Sequence, residues 1–133
     1  MRNSHNVFHL AIPCDSLIRS VEFYVEKLGA RLARKYDDRI TLDFFGDQVV
    51  CHYNPEKIDR HPEIYPRHFG ITFKERKDFD AIINRLEKTD LEYFKKPFVR
   101  FEGMDEEHHT FFLIDPANNI IEFKYYKDTN MMY

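Results

Sequence analysis

Apolar and polar positions change period along the chain in an order that occurs twice. Val7 to Pro13 is a short apolar run of β-compatible residues that contains His9, and Pro13 closes it. Asp15 or Ser16 can then cap a helix whose residues Leu17, Val21, Tyr24, Val25 and Leu28 share one face, with Gly29 as its stop. From Arg31 the period shortens to strand-like pieces, Arg31 to Tyr36, Ile40 to Phe45 and Gln48 to Tyr53. Turns at Asp37-Asp38 and Gly46-Asp47 part them, which predicts an antiparallel meander.

Asn54 to Pro66 carries Pro55, Pro62 and Pro66 and is too long and polar for a hairpin, so it reads as a linker. The order then restarts. Arg67 to Phe73 is apolar with His68 near its start, and Asp78 to Lys88 is helical with Phe79, Ile82, Ile83 and Leu86 on one face. Three more strands are predicted, at Leu91 to Phe94 or a little beyond, His109 to Ile114, and Asn119 to Tyr126.

Position arithmetic supports a duplication. Val21, Tyr24, Val25 and Leu28 map onto Phe79, Ile82, Ile83 and Leu86 at a constant offset of 58, and His9 maps onto His68 at 59. A repeat of roughly 60 residues exceeds solenoid periods, so two copies making one domain is the natural reading. The fold class is α+β: a single domain over residues 1–133, with one βαβββ module at about 7–54, a linker at 55–66 and a second module at about 67–126.

Composition narrows the setting. The 43% hydrophobic content, with 13 Phe and 8 Tyr, suffices for one core. No apolar stretch approaches the ~20 residues of a membrane span, and Met1 to Asn6 lacks an apolar signal, so a cytoplasmic protein is expected. The 20 basic and 23 acidic residues are dispersed, giving a net charge of −3 and no basic face for nucleic acid. Cys14 and Cys51 are the only cysteines and read as reduced thiols.

The candidate chemistry lies in three residues on three predicted strands. His9 and His68 each open a module, and Glu122 sits inside the apolar run Asn119-Ile120-Ile121-Glu122-Phe123. A buried, unpartnered carboxylate costs several kcal/mol, so Glu122 calls for a metal, a cation or a proton. Each residue alone also has an ordinary reading, as a hydrogen-bonded imidazole or a solvent-facing acid.

His52 lies on the matching last strand of the first module, as ligand, pocket residue or surface histidine. Aligning Val49-Val50-Cys51 on Ile120-Ile121-Glu122 sets Cys51 rather than His52 opposite the glutamate, and a bulge could restore His52. Of His108 and His109 at most one points inward. Arg100, within Pro97-Phe98-Val99-Arg100-Phe101, pairs either with an acidic substrate or in a structural salt bridge.

The segments Phe8-His9-Leu10-Ala11-Ile12-Pro13, Phe23-Tyr24 with Leu28-Gly29, His68-Phe69-Gly70-Ile71, and Asp115-Pro116-Ala117-Asn118-Asn119 leading to Glu122-Phe123 make the chain resemble the vicinal oxygen chelate superfamily. That group includes glyoxalase I, extradiol dioxygenases and the bleomycin and fosfomycin resistance proteins. Asp43-Phe44-Phe45-Gly46 and Glu122-Phe123-Lys124 are similar to segments of its small bacterial members.

The resemblance implies paired βαβββ modules forming a curled mixed sheet around a divalent metal, whose ligands match His9, His68 and Glu122. The position that supplies another glutamate in glyoxalase I has no acid here. The His/His/Glu set favours Fe(II) or Mn and also admits Zn, Ni or Co. The expected function is a dioxygenase-like enzyme acting on a small molecule with vicinal oxygens. The alternatives are a non-catalytic antibiotic-binding protein and a glyoxalase-like lyase. His52, Tyr53 and His109 are the candidate acid/base residues, Phe98 and Arg100 the candidate substrate contacts, and a homodimer is implied.

Overall fold

A computed structural model describes residues 3–133 and divides them into two compact units. The first unit runs to His61 and includes Asp115–Asn119; the second comprises Pro62–Ile114 and Ile120–Tyr133.

In the first unit, β1 (His9–Cys14) leads into α1 (Leu17–Val21), which continues as a π-helical segment, Glu22–Lys27. The side chain of Ser16 caps α1 by accepting from the Arg19 amide, satisfying one of the amide groups a helix start leaves open. β2 (Arg31–Lys35), β3 (Arg39–Phe44) and β4 (Asp47–Tyr53) follow, in sheet order β1-β4-β3-β2. β1 runs parallel to β4, and the other pairs are antiparallel.

The second unit repeats this plan. β5 (Phe69–Phe73), α2 (Arg76–Leu86), β6 (Lys95–Arg100), β7 (His108–Ile114) and β8 (Ile120–Tyr126) form a sheet ordered β5-β8-β7-β6, with β5 parallel to β8. Two βαβββ modules, each with one four-stranded mixed sheet, are therefore present, as the duplicated pattern implies. Each sheet is curled but open. Among the described residues no helix is long and apolar enough to cross a membrane.

Three local expectations are corrected. First, the buried face of the first helical stretch is Ser20, Phe23, Tyr24 and Leu28, while Val21 and Val25 are only half-buried. The Leu28 amide reaches the Phe23 carbonyl at 2.9 Å, a π-type turn that advances the face relative to α-helical spacing. Gly29 then turns at φ +91 and lets the Ala30 amide close on the Tyr24 carbonyl.

Second, β6 lies at Lys95–Arg100, and Leu91 to Phe94 precedes it outside any strand. Pro97 argues against a central strand, but β6 is at the sheet edge and its pairing slips between Lys95 and Phe98, so the missing amide costs no ladder bond. Third, β1 continues through Pro13 to Cys14, again at a sheet edge.

The Asp-Pro-Ala-Asn-Asn segment is a structural knot of the first unit. Asp115 Oδ1 accepts from the Ala117 and Asn119 amides, and Oδ2 accepts from the Tyr24 hydroxyl and the Asn119 side chain, all at 2.8 Å. Burial raises the Asp115 carboxyl above the usual carboxylate range, and these donors hold it down in part. Burial likewise pushes the thiols of the buried Cys51 and Cys14 up, against thiolate formation.

Candidate functional site

Strand register decides which side chains share a face, because paired residues project to the same side and neighbours along a strand to opposite sides. In the second sheet, Gly70 pairs with Glu122, which pairs in turn with Phe112; Thr110 pairs with Lys124 and Phe98, and His108 with Tyr126 and Arg100. All of these occupy one face. Phe69, Ile71, Phe73, Phe111, Phe123 and His109 occupy the other, where Phe79 of α2 packs on Phe73, Phe111 and His109.

Glu122 is 5% exposed and fully partnered. Its Oε1 accepts from the Thr110 hydroxyl at 2.8 Å, while Oε2 lies 3.2 Å from His68 Nε2 and 3.2 Å from Lys124 Nζ. His68 stands one residue before β5, with its ring edge-on to Phe112 and to Tyr65, both at 5.7 Å. Its Nδ1 is 2.7 Å from the Ile64 carbonyl, an acceptor only, so Nδ1 carries a proton. In the neutral ring Nε2 then presents a lone pair toward a carboxylate oxygen, an arrangement that requires a proton or a cation between them. A cavity of about 180 Å³ opens here, lined by His68, Gly70, Thr72, Glu122 and Lys124 among others.

The first sheet repeats part of this arrangement. His9 pairs with Gln48 across β1 and β4, and its Nδ1 lies 2.5 Å from Gln48 Oε1, which leaves Nε2 as the free nitrogen. Both histidines thus have Nδ1 tied to a carbonyl oxygen, the outer hydrogen bond that orients metal-ligating imidazoles.

The paired registers also correct the alignment of the two modules. Two residues beyond His9 is Ala11, opposite Val50; two beyond His68 is Gly70, opposite Glu122. Val50, not Cys51, therefore corresponds to Glu122, and His52 corresponds to Lys124. Cys51 points to the helix side. His52 shares the face of His9 and is exposed, whereas Tyr53, 56% exposed, alternates to the other face.

Of the remaining candidates, Phe98 and Arg100 lie on the Glu122 face, half-buried. His109 is turned away from it, under Phe79, and His108 takes the inward place. Burial, followed by the charge of Arg76, lowers the His109 pKa, with Glu107 and Asp80 opposing. A depressed folded-state value contributes stability above the ordinary 6.5 that is lost as pH falls. His109→Gln should therefore match the parent in urea midpoint at pH 7.5 and lose less than the parent at pH 5.5. Equal losses at both pH values would show that His109 is not held neutral by its surroundings.

Lys124, Thr110 and Gln48 belong to the two arrangements but were not singled out by sequence reasoning. For Lys124 and Thr110 the signal was available in strand alternation around Glu122; the Gln48 contact depends on the parallel register of β1 on β4. Among the described residues, no group of three or more His, Cys, Asp or Glu side chains stands ready to hold a metal.

A family model described as the Glyoxalase/Bleomycin resistance protein/Dioxygenase superfamily matches residues 6–123. The crystal structure of a glyoxalase/bleomycin resistance protein/dioxygenase from Alicyclobacillus acidocaldarius is 56% identical over 100% of both chains, with a TM-score of 0.95. The genomically encoded fosfomycin resistance protein FosX from Listeria monocytogenes is 12% identical over 96% of this chain and 98% of that one, with a TM-score of 0.73. A lactoylglutathione lyase from Agrobacterium tumefaciens is 15% identical over 90% and 92%, with a TM-score of 0.67. The last two likenesses are likenesses of fold. No curated protein matches the chain significantly.

Proposed function

The chain belongs to the Glyoxalase/Bleomycin resistance protein/Dioxygenase superfamily, and from that premise we propose that it is a metal-dependent, dioxygenase-like enzyme acting on a small molecule with vicinal oxygens. The ion on this reading is divalent, with Fe(II) or Mn favoured, and His9, His68 and Glu122 are the residues that would hold it. One observation carries the reading: His68, with its Nδ1 proton committed to Ile64, aims Nε2 at Glu122 Oε2 across 3.2 Å. Nitrogen and carboxylate oxygen facing each other in a half-buried cavity are the donor chemistry of such an ion. Two neutral imidazoles and one carboxylate would leave coordination positions open, where a bound ion would polarise the substrate's paired oxygens.

The protein's own residues have separable tasks. Thr110 holds Oε1 of Glu122, so Oε2 remains as the donor. Ile64 and Gln48 keep the two histidines in the same tautomer. Phe112 covers one side of His68 and limits its contact with water. His52, exposed on the face of His9, is the proposed proton carrier for the substrate, and Tyr53, on the opposite face, is not. A cytoplasmic homodimer is part of the same reading.

A second reading is favoured by Lys124, whose ammonium already neutralises Glu122 at 3.2 Å. On that reading the protein binds a small molecule without metal. Metal analysis of the purified protein separates the two. The enzyme reading expects about one ion per site after dialysis against Fe(II) or Mn, and a metal-free protein that still binds aromatic ligands would replace it by the second.

A further inference from the structure

Arg100 closes β6 on the same sheet face as Glu122, through its pairing with His108. It is half-buried, and its partners among the described residues are all neutral. The guanidinium donates to the Tyr65 hydroxyl and lies over two rings, 5.2 Å from the centre of Phe101 and 5.8 Å from that of Tyr65. Among the described residues it has no carboxylate partner. By contrast, Arg19, Arg31, Arg39 and Arg76 are each matched to an aspartate.

A half-buried guanidinium held by rings and a hydroxyl keeps most of its planar fork of donors free, the geometry that suits a two-oxygen anion. Phe101 adds a second sign. It holds its ring against Arg100 from a left-handed backbone at φ +52, which a bulky side chain adopts only at some energetic cost. Phe101 there opens the turn in which the Met104 amide donates to its carbonyl, and its ring stands as one wall beside the guanidinium. Tyr65 forms the other and also touches His68, so a single tyrosine separates Arg100 from the His68–Glu122 pair.

We propose that Arg100, positioned by Tyr65 and Phe101, is an oxyanion-binding site, and that the small molecule handled at His68 and Glu122 carries a carboxylate or phosphonate about one ring's length from the end that reaches those residues. This rests on the proposed function for the role of His68 and Glu122, while the anion site itself stands without a metal. Two wetted neutral partners do not compensate a charge, so an incoming anion meets an orientated donor with little to displace. Phe98 lies on the same face, with the Lys95 ammonium 4.2 Å from the centre of its ring.

The test uses the full chain treated with chelator, titrated with benzoate, phenylphosphonate and neutral benzamide, and followed by calorimetry and thermal shift. The parent should bind at least one anion about tenfold more tightly than benzamide, the range expected of a charge-assisted pair. The tighter anion identifies the oxyanion. Arg100→Gln should abolish the preference and Arg100→Lys should keep part of it, with benzamide binding weakened less than that of either anion in both.

Should Arg100→Gln fail to fold, Tyr65→Phe leaves the charge in place and should reduce the preference by loosening the guanidinium. Failure of both anions to bind the parent, or a preference that survives in Arg100→Gln, would overturn the proposal. Metal content, measured on separate samples, reports on His68 and Glu122 alone. Loss of the metal reading with an intact anion preference is therefore distinguishable from the reverse.

Discussion

Replacing Glu122 by glutamine should lower metal affinity about a hundredfold or more, since even outer-shell partners of ligands are worth ten to a hundredfold, while the fold persists. The amide keeps the shape of the side chain, and its oxygen can still accept from Thr110. What it loses is the charge that would offset a dication and that now attracts Lys124 and faces His68. The expected cost to folding is about 1–3 kcal/mol for one altered charge-assisted contact in a buried place. Metal content after dialysis, set beside the melting temperature of the metal-free protein, separates the two effects. A glutamine variant that holds metal as tightly as the parent would make Glu122 a structural partner of Lys124 and nothing more.

Gly70→Ala should be the most damaging single methyl addition in the second unit. A β-carbon there would sit 1.7 Å from the Glu122 carbonyl oxygen and 2.6 Å from its carbonyl carbon. These are backbone atoms, so no side-chain rotation relieves the clash, and the β5–β8 pair must open. Overpacking of this severity costs about 3 kcal/mol or more, a fall of roughly 10 °C in melting temperature for a domain of this size. Because β5 follows His68 directly and β8 carries Glu122, metal binding should fall in parallel. A variant with an unchanged melting temperature would show that the strands tolerate a wider separation than they adopt.

Much of the fold could be read in one dimension. A helix announces itself by apolar residues at intervals of three and four, a strand by alternation or a short β-rich run, and their order β-α-β-β-β recurs along the chain. The second helix follows the pattern closely, with Phe79, Ile82 and Leu86 buried. The first departs from it at the π-type turn Phe23–Leu28, which the residue spacing does not reveal. β6 lies at Lys95–Arg100 rather than at Leu91 to Phe94, and it accommodates Pro97 because it is an edge strand.

The site divides along the same line. The residues and their types are local facts: two histidines at the opening of two modules, a carboxylate in an apolar run, an arginine among aromatics. Which face each residue takes is not local, since a shift of one position in the register reverses every side chain. Register therefore moved Val50, not Cys51, into correspondence with Glu122, turned His109 under α2, and brought Lys124 and Thr110 onto the carboxylate. The sequence by itself determined the duplicated α+β architecture and the stock of donors, because periodicity and residue chemistry are carried residue by residue. Only the tertiary structure decided which donors face one another, because that depends on hydrogen-bond pairing between strands remote in sequence.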